Sequence, residues 1–112
     1  MAVVVASGSA VSTGANTKSA DQVDGKYQYS GRGKYTLVCL GSATGMNVSC
    51  SVGGITLADD KAIPFTGTAG TIDTSAHVMT SQVMQGGRVE LFLRNTTGGA
   101  LTTDYLLLFD PA

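Results

Sequence analysis

The segment 25–35, GKYQYSGRGKY, is the first place where clustered side chains could do chemistry. It holds three of the seven basic residues, Lys26, Arg32 and Lys34, and three of the four tyrosines. Interleaved aromatic and basic side chains can stack nucleobases and contact phosphates, which would make residues 26–35 a single-stranded nucleic-acid binder. Strand alternation favours a hairpin instead, with SGRG as its turn, the tyrosines facing the core and the cations outside. Arg32 and Lys34 then become candidates for polar docking to a neighbouring protein.

The remaining reactive side chains do not form a catalytic pattern. His77 is the only histidine, so it lacks a second imidazole for a metal site or a proton relay. Asp59 and Asp60 have no calcium-loop spacing around them and are expected to be solvated in a turn. No glycine-rich phosphate loop and no nucleophile elbow is present. We therefore expect no enzyme, no metal and no cofactor.

Two cysteines, Cys39 and Cys50, are expected to be buried small hydrophobic side chains. If the chain forms a hairpin around GSATG at 41–45, they would face each other across adjacent strands. A structural disulfide under oxidising conditions then stays open.

The composition indicates an all-β protein of one domain. Only 13% of the residues are charged, glycine occurs 15 times, and Glu90 is the only glutamate, so the usual solvated helix surface is missing. A net charge of −1 gives no general attraction to nucleic acid or to an anionic membrane. The segment MAVVVASGSA has too short an apolar run for a signal peptide or a membrane span, which predicts synthesis in a cytoplasm.

Turn-forming residues divide the chain into about eight short strands, so we predict a single, jelly-roll-like β-sandwich at 25–112. Gly86-Gly87 is interpreted as a hairpin turn. Residues 1–24 are predicted to form an N-terminal strand, Ala2–Ala6, followed by an extended flexible arm. The predicted strands are Ala2–Ala6, Lys26–Ser30, Lys34–Leu40, Met46–Val52, Ile55–Leu57 with a continuation at Ala62–Phe65, Val78–Gln85, Arg88–Asn95 and Leu101–Phe109.

Three runs are apolar on both faces of their strands: Val3–Val5, Leu37–Leu40 and Tyr105–Phe109. A sandwich buries only one face of each sheet, so these runs leave surplus apolar surface. Another protein chain is the expected cover, although a loop or the arm folding back is the alternative. The candidate interface residues are Val3, Val5 and Lys18 in the arm, Arg32 and Lys34 at the turn, and Val38, Leu40, Leu106 and Leu108 on the sheet.

The arm MAVVVASGSAVSTGANTKSADQVDG and the C-terminal stretch GGRVELFLRNTTGGALTTDYLLLFDPA, interpreted as a terminal sandwich hairpin, together resemble small all-β capsid structural proteins of bacteriophages. The resemblance is to proteins of the decoration or minor capsid type. It implies a non-enzymatic virion protein that binds other capsid subunits and copies of itself. A carbohydrate- or cell-surface-binding β-sandwich module remains an alternative.

Overall fold

The structure, a computed structural model, describes residues 3–19, 21–23, 29–41, 44–63 and 78–111. These residues form eight strands and no helix, so none of them belongs to a helix that could cross a membrane. The all-β prediction is confirmed. The strands are β1 Val3–Thr13, β2 Tyr29–Ser30, β3 Gly33–Gly41, β4 Met46–Val52, β5 Ile55–Ala62, β6 Val78–Met84, β7 Gly87–Asn95 and β8 Leu101–Pro111.

The strands form two antiparallel sheets of four strands each. The first sheet has the order β1-β8-β3-β6 and the second has the order β2-β7-β4-β5. The first strand pairs with the eighth, the second with the seventh, the third with the sixth and the fourth with the fifth. The chain is therefore a long double-stranded ribbon whose successive strand pairs alternate between the two sheets.

One core lies between the two sheets, which gives a sandwich-like arrangement. The first sheet contributes Leu37 and Leu107 to it, and the second contributes Val48 and Leu91. Strand β4 alternates buried and half-buried side chains along its whole length, as an apolar period of two requires.

The predicted extended arm is not confirmed. Strand β1 continues to Thr13 and pairs with β8, where the sequence predicted a strand ending at Ala6. Beyond it, the backbone N–H groups of Ser19 and Gln22 donate to the carbonyls of Leu93 and Leu91 in β7, at 2.7 and 2.8 Å. Small polar side chains leave the backbone of this segment free to pair, so the described part of residues 7–23 lies against the sheets.

The four predicted hairpins are wrong, because their strands lie in opposite sheets. Strand β2 pairs with β7 and not with β3, so SGRG is not a hairpin turn. The links after β3, β6 and β7 likewise lead from one sheet to the other, including Gly86-Gly87 and the predicted C-terminal hairpin. In the described residues, the consecutive strands that pair are β4 and β5, which Gly53-Gly54 joins.

Candidate interaction surfaces

The outer face of the first sheet is built from the side chains of β1, β8, β3 and β6 that point away from the core. Val4, Leu108 and Thr36 lie side by side on adjacent strands, and Leu106 and Val38 lie in the next row. Leu40 on β3 and Val78 and Val83 on β6 belong to the same side by their register. We call these eight residues and their surroundings the apolar face.

Burial divides the apolar face into a covered part and an open part. Val38 and Leu40 are only 0% and 4% exposed although they lie outside the core cluster, so the chain itself covers them. Leu106 and Leu108 are half-buried. Val4 and Val83 are 47% and 61% exposed. The open part is therefore larger on β1, β8 and β6 than on β3.

The structure separates the apolar residues that the sequence proposed for the interface. Leu106 and Leu108 lie in the open part of the apolar face, and Val38 and Leu40 form its covered part. Val5 belongs to the core, and Val3 lies opposite Phe109 of the core and is half-buried. Sequence reasoning did not single out Val4, Val78 and Val83, although Val4 lies within the doubly apolar run that it recognised.

The basic and aromatic segment does not form one platform in its described part, residues 29–35. Tyr35 is fully buried, stacks on Phe109 at 4.8 Å between ring centroids, and donates its hydroxyl to the carbonyl of Gly31. Tyr29 is 68% exposed, so its predicted core position is wrong; in the described sheets its strand β2 is an edge strand that pairs with β7. Arg32 and Lys34 are exposed as expected, and Lys26 and Tyr27 lie outside the described residues, as does His77.

The outer face of the second sheet is polar. Asn47 pairs with Arg94, Ser49 with Phe92 and Ser51 with Glu90 across β4 and β7. We call this surface the polar face. Among the described residues, it contrasts with the apolar face in having charged or hydroxyl-bearing side chains at most positions.

Asp60 and Arg94 form a two-point ion pair on the polar face. The Nε and Nη2 atoms of Arg94 donate to the two carboxylate oxygens of Asp60 at 2.9 and 2.5 Å. Asp60 has a left-handed backbone with φ of 47°, and its N–H donates to the Ser49 hydroxyl. The hydrogen bonds from Arg94 lower the pKa of the Asp60 carboxyl below its ordinary value, even though the group is exposed.

We expect replacement of Arg94 by Gln to raise the pKa of Asp60 toward its ordinary value, as a carboxyl titration by NMR would measure. A lowered pKa stabilises the fold above the ordinary carboxyl pKa of 3.8, and this contribution disappears as the pH falls through the lowered value. The difference in unfolding free energy between R94Q and the native chain should therefore shrink in acid. An unchanged Asp60 titration in R94Q would contradict the ion pair.

A shallow groove of about 270 Å³ lies on the polar face. Its lining includes Ser51, Thr56 and Asp59, which offer hydrogen bonds, and the ring of Phe92. The Lys18 ammonium lies over that ring at 4.4 Å from the centroid. The candidate residue Lys18 is thus fixed on the polar face by a cation–π contact and does not extend from the molecule.

The two cysteines are free and buried in different sheets, Cys39 on β3 and Cys50 on β4. The predicted placement on neighbouring strands is therefore wrong. Burial raises the pKa of each thiol to about 12. Both thiols stay protonated at neutral pH and are poor nucleophiles.

The chain matches no protein-family model, no curated protein and no solved structure. A function for this chain is therefore inferred from the fold and from the two outer faces.

Proposed function

We propose that the chain is a non-enzymatic structural protein of a virion, which decorates or stabilises a capsid by docking on protein neighbours through the apolar face. Its partners are copies of itself and other shell subunits. The observation that carries the proposal is the difference between the two outer faces.

The apolar face leaves apolar side chains exposed to solvent, which is unfavourable in water. Val4 on β1 is exposed beside the half-buried Leu108 on β8, and the half-buried Leu106 lies in the next row of β8. Val83 is exposed on β6, on the far side of β3, next to Lys34. Charged side chains lie at the two ends of the apolar face. Lys34 is opposite Asp110 at one end, and Asp104 is opposite Leu40 at the other. An apolar centre with a charged rim is the usual composition of a protein interface.

We further propose that the fold is a jelly roll. The support is the strand order β1-β8-β3-β6 and β2-β7-β4-β5, which results when a ribbon of four strand pairs wraps into two sheets. Jelly rolls occur in viral capsid domains and also in lectins and cupins, so the fold favours the proposal without deciding it.

The alternatives find less support in the same surfaces. A sugar bound in the groove would need a free aromatic face for stacking, and the Lys18 ammonium lies over the Phe92 ring there. A single-strand binder needs several aromatic and basic side chains on one exposed face, and Tyr35 is in the core, which leaves Tyr29 as the exposed ring in the described part of residues 26–35.

The substitution Val4→Lys tests the proposal by placing an ammonium group in the open part of the apolar face, on its edge strand β1 beside Leu108. We expect self-association or binding to a shell to weaken about tenfold or more, because a buried unpaired charge costs more than 1.4 kcal/mol. Native mass by light scattering across a concentration series measures the effect. The matched control is Thr56→Lys, which adds the same charge at an exposed position of the polar face.

A native chain that stays monomeric at high concentration and does not bind a shell would overturn the proposal. Equal loss of association in V4K and T56K would show that added charge, and not its place on the apolar face, weakens association. Thermal unfolding of both variants ensures that each one is folded at the temperature of the measurement.

A further inference from the structure

We propose that strand β6 of one copy pairs antiparallel with β6 of a second copy, about a two-fold axis at Ser81. The first sheet would then continue from one copy into the next. This inference rests on the proposed function, since it adds to the apolar face a second contact, at the sheet edge, by which copies of the structural protein associate.

Among the described residues, strand β6 is an edge strand whose own sequence carries none of the usual protection against pairing. It is the last strand of the first sheet among the described residues, and its sequence VMTSQVM contains no charge and no proline. Natural edge strands avoid association by charges, prolines, bulges or short length.

The other edges of the described sheets carry such protection. Strand β5 contains Asp59, Asp60 and Lys61 within its eight residues. Strand β2 has only two residues, and β1 has two register shifts against β8. The single register shift of β6 lies opposite Leu37 and Val38, at the N-terminal end of the strand and outside residues 80–82.

A side chain of β5 already contacts the backbone of β6 at Met79, which lies outside residues 80–82. The Lys61 ammonium on β5 donates to the Met79 carbonyl at 2.6 Å, and this contact is exposed. A carbonyl oxygen can accept a second hydrogen bond, so the contact does not prevent pairing by a further strand.

The order of side chains in β6 favours a second copy as the occupant. The pattern of polar and apolar residues is the same in both directions from Ser81: Thr80 and Gln82 lie next to it, and Met79 and Val83 follow. In an antiparallel pair about Ser81, Thr80 of each copy therefore faces Gln82 of the other, both of them polar, and no like charges meet along the strand. An unrelated partner strand would not require this symmetry.

A cysteine at position 81 tests the two-fold axis directly. In an antiparallel pair the Cα atoms of opposite residues are about 4.5–5.5 Å apart, which suits a disulfide. We expect Ser81→Cys to give mainly covalent dimer under mild oxidation, as a non-reducing gel would show. The native thiols should not interfere, since both are buried.

Two matched variants test the register and the edge. In Val83→Cys the two thiols would lie about 13 Å apart along the paired strands, too far for a disulfide. Thr56→Cys places an exposed thiol on the edge strand β5. Dimer formation in S81C alone supports the proposal, whereas equal cross-linking of all three variants, or none in S81C, overturns it.

The S81C cross-linking test and the V4K association test can fail independently. If the native chain associates and V4K weakens that association, but S81C does not cross-link, the pairing of β6 is wrong and the docking role of the apolar face remains. If the native chain neither associates nor binds a shell, both proposals fail.

Discussion

Replacing Asn95 by Asp should lower the free energy of unfolding by about 3 kcal/mol at neutral pH. Asn95 is 1% exposed at the end of β7. Its Nδ2 group donates to the carbonyls of Thr13 and Gly99 at 3.0 and 2.7 Å, and its Oδ1 atom accepts from the Thr97 N–H at 2.9 Å. The introduced carboxylate keeps the shape but turns an oxygen toward two carbonyl oxygens.

The loss should be visible as a lower midpoint in thermal and urea unfolding, by about 15 °C in the thermal experiment. It should decrease in acid, because protonation removes the buried charge and restores one donor. The control is Asn16→Asp, the same change at an exposed position whose φ of 52° an aspartate tolerates. Equal stability of N95D and N16D would mean that Asn95 does not hold the ends of β1 and β7 together.

The strands were predictable because their signals are local. The alternation in Met46–Val52 and Arg88–Asn95 predicted β4 and β7 nearly to the residue, since an apolar period of two needs only one buried face. Glycine pairs also marked where strands end. What a glycine pair does not encode is the sheet to which the next strand belongs. Gly53-Gly54 joins paired strands, and Gly86-Gly87 joins strands of different sheets.

Contacts between these two glycine links explain why the path of the link between β6 and β7 was not predictable from its own residues. A Cβ atom on Gly53 would collide with the carbonyl oxygen of Gly86, and the Gly53 N–H donates to the Arg88 carbonyl at 2.8 Å. The link between β6 and β7 is thus positioned by a turn more than thirty residues away in sequence. Such a contact depends on the packing of both sheets, so turn chemistry alone does not predict it.

The candidate interface was predictable only in part, for a related reason. The run VVV indicated surplus apolar surface, but the register shift between Val4 and Ala6 decides which valine points outward. It places Val5 in the core and leaves Val4 exposed, the reverse of the candidates chosen from the sequence. A bulge changes the alternation of side chains without leaving a clear sequence signal.

Replacing one of the adjacent leucines of YLLLF should give the second large loss of stability. The sequence alone does not say which of these leucines faces the core. Leu107 is fully buried, between Ala6 on β1 and Leu37 on β3, whereas Leu106 is half-buried on the apolar face. We expect Leu107→Ala to lower the free energy of unfolding by about 3–4 kcal/mol, since it leaves a cavity in the core. Urea unfolding followed by circular dichroism measures this loss.

Leu106→Ala is the matched control, because it removes the same atoms one residue away on the other side of the sheet. Its cost in unfolding free energy should be about 1–2 kcal/mol, in proportion to its lower burial. The order should reverse for self-association, where L106A weakens binding and folded L107A keeps the native affinity, since the apolar face is unchanged in L107A. Equal losses of stability would contradict the assignment of the two faces, and an unchanged association of L106A would remove Leu106 from the docking surface.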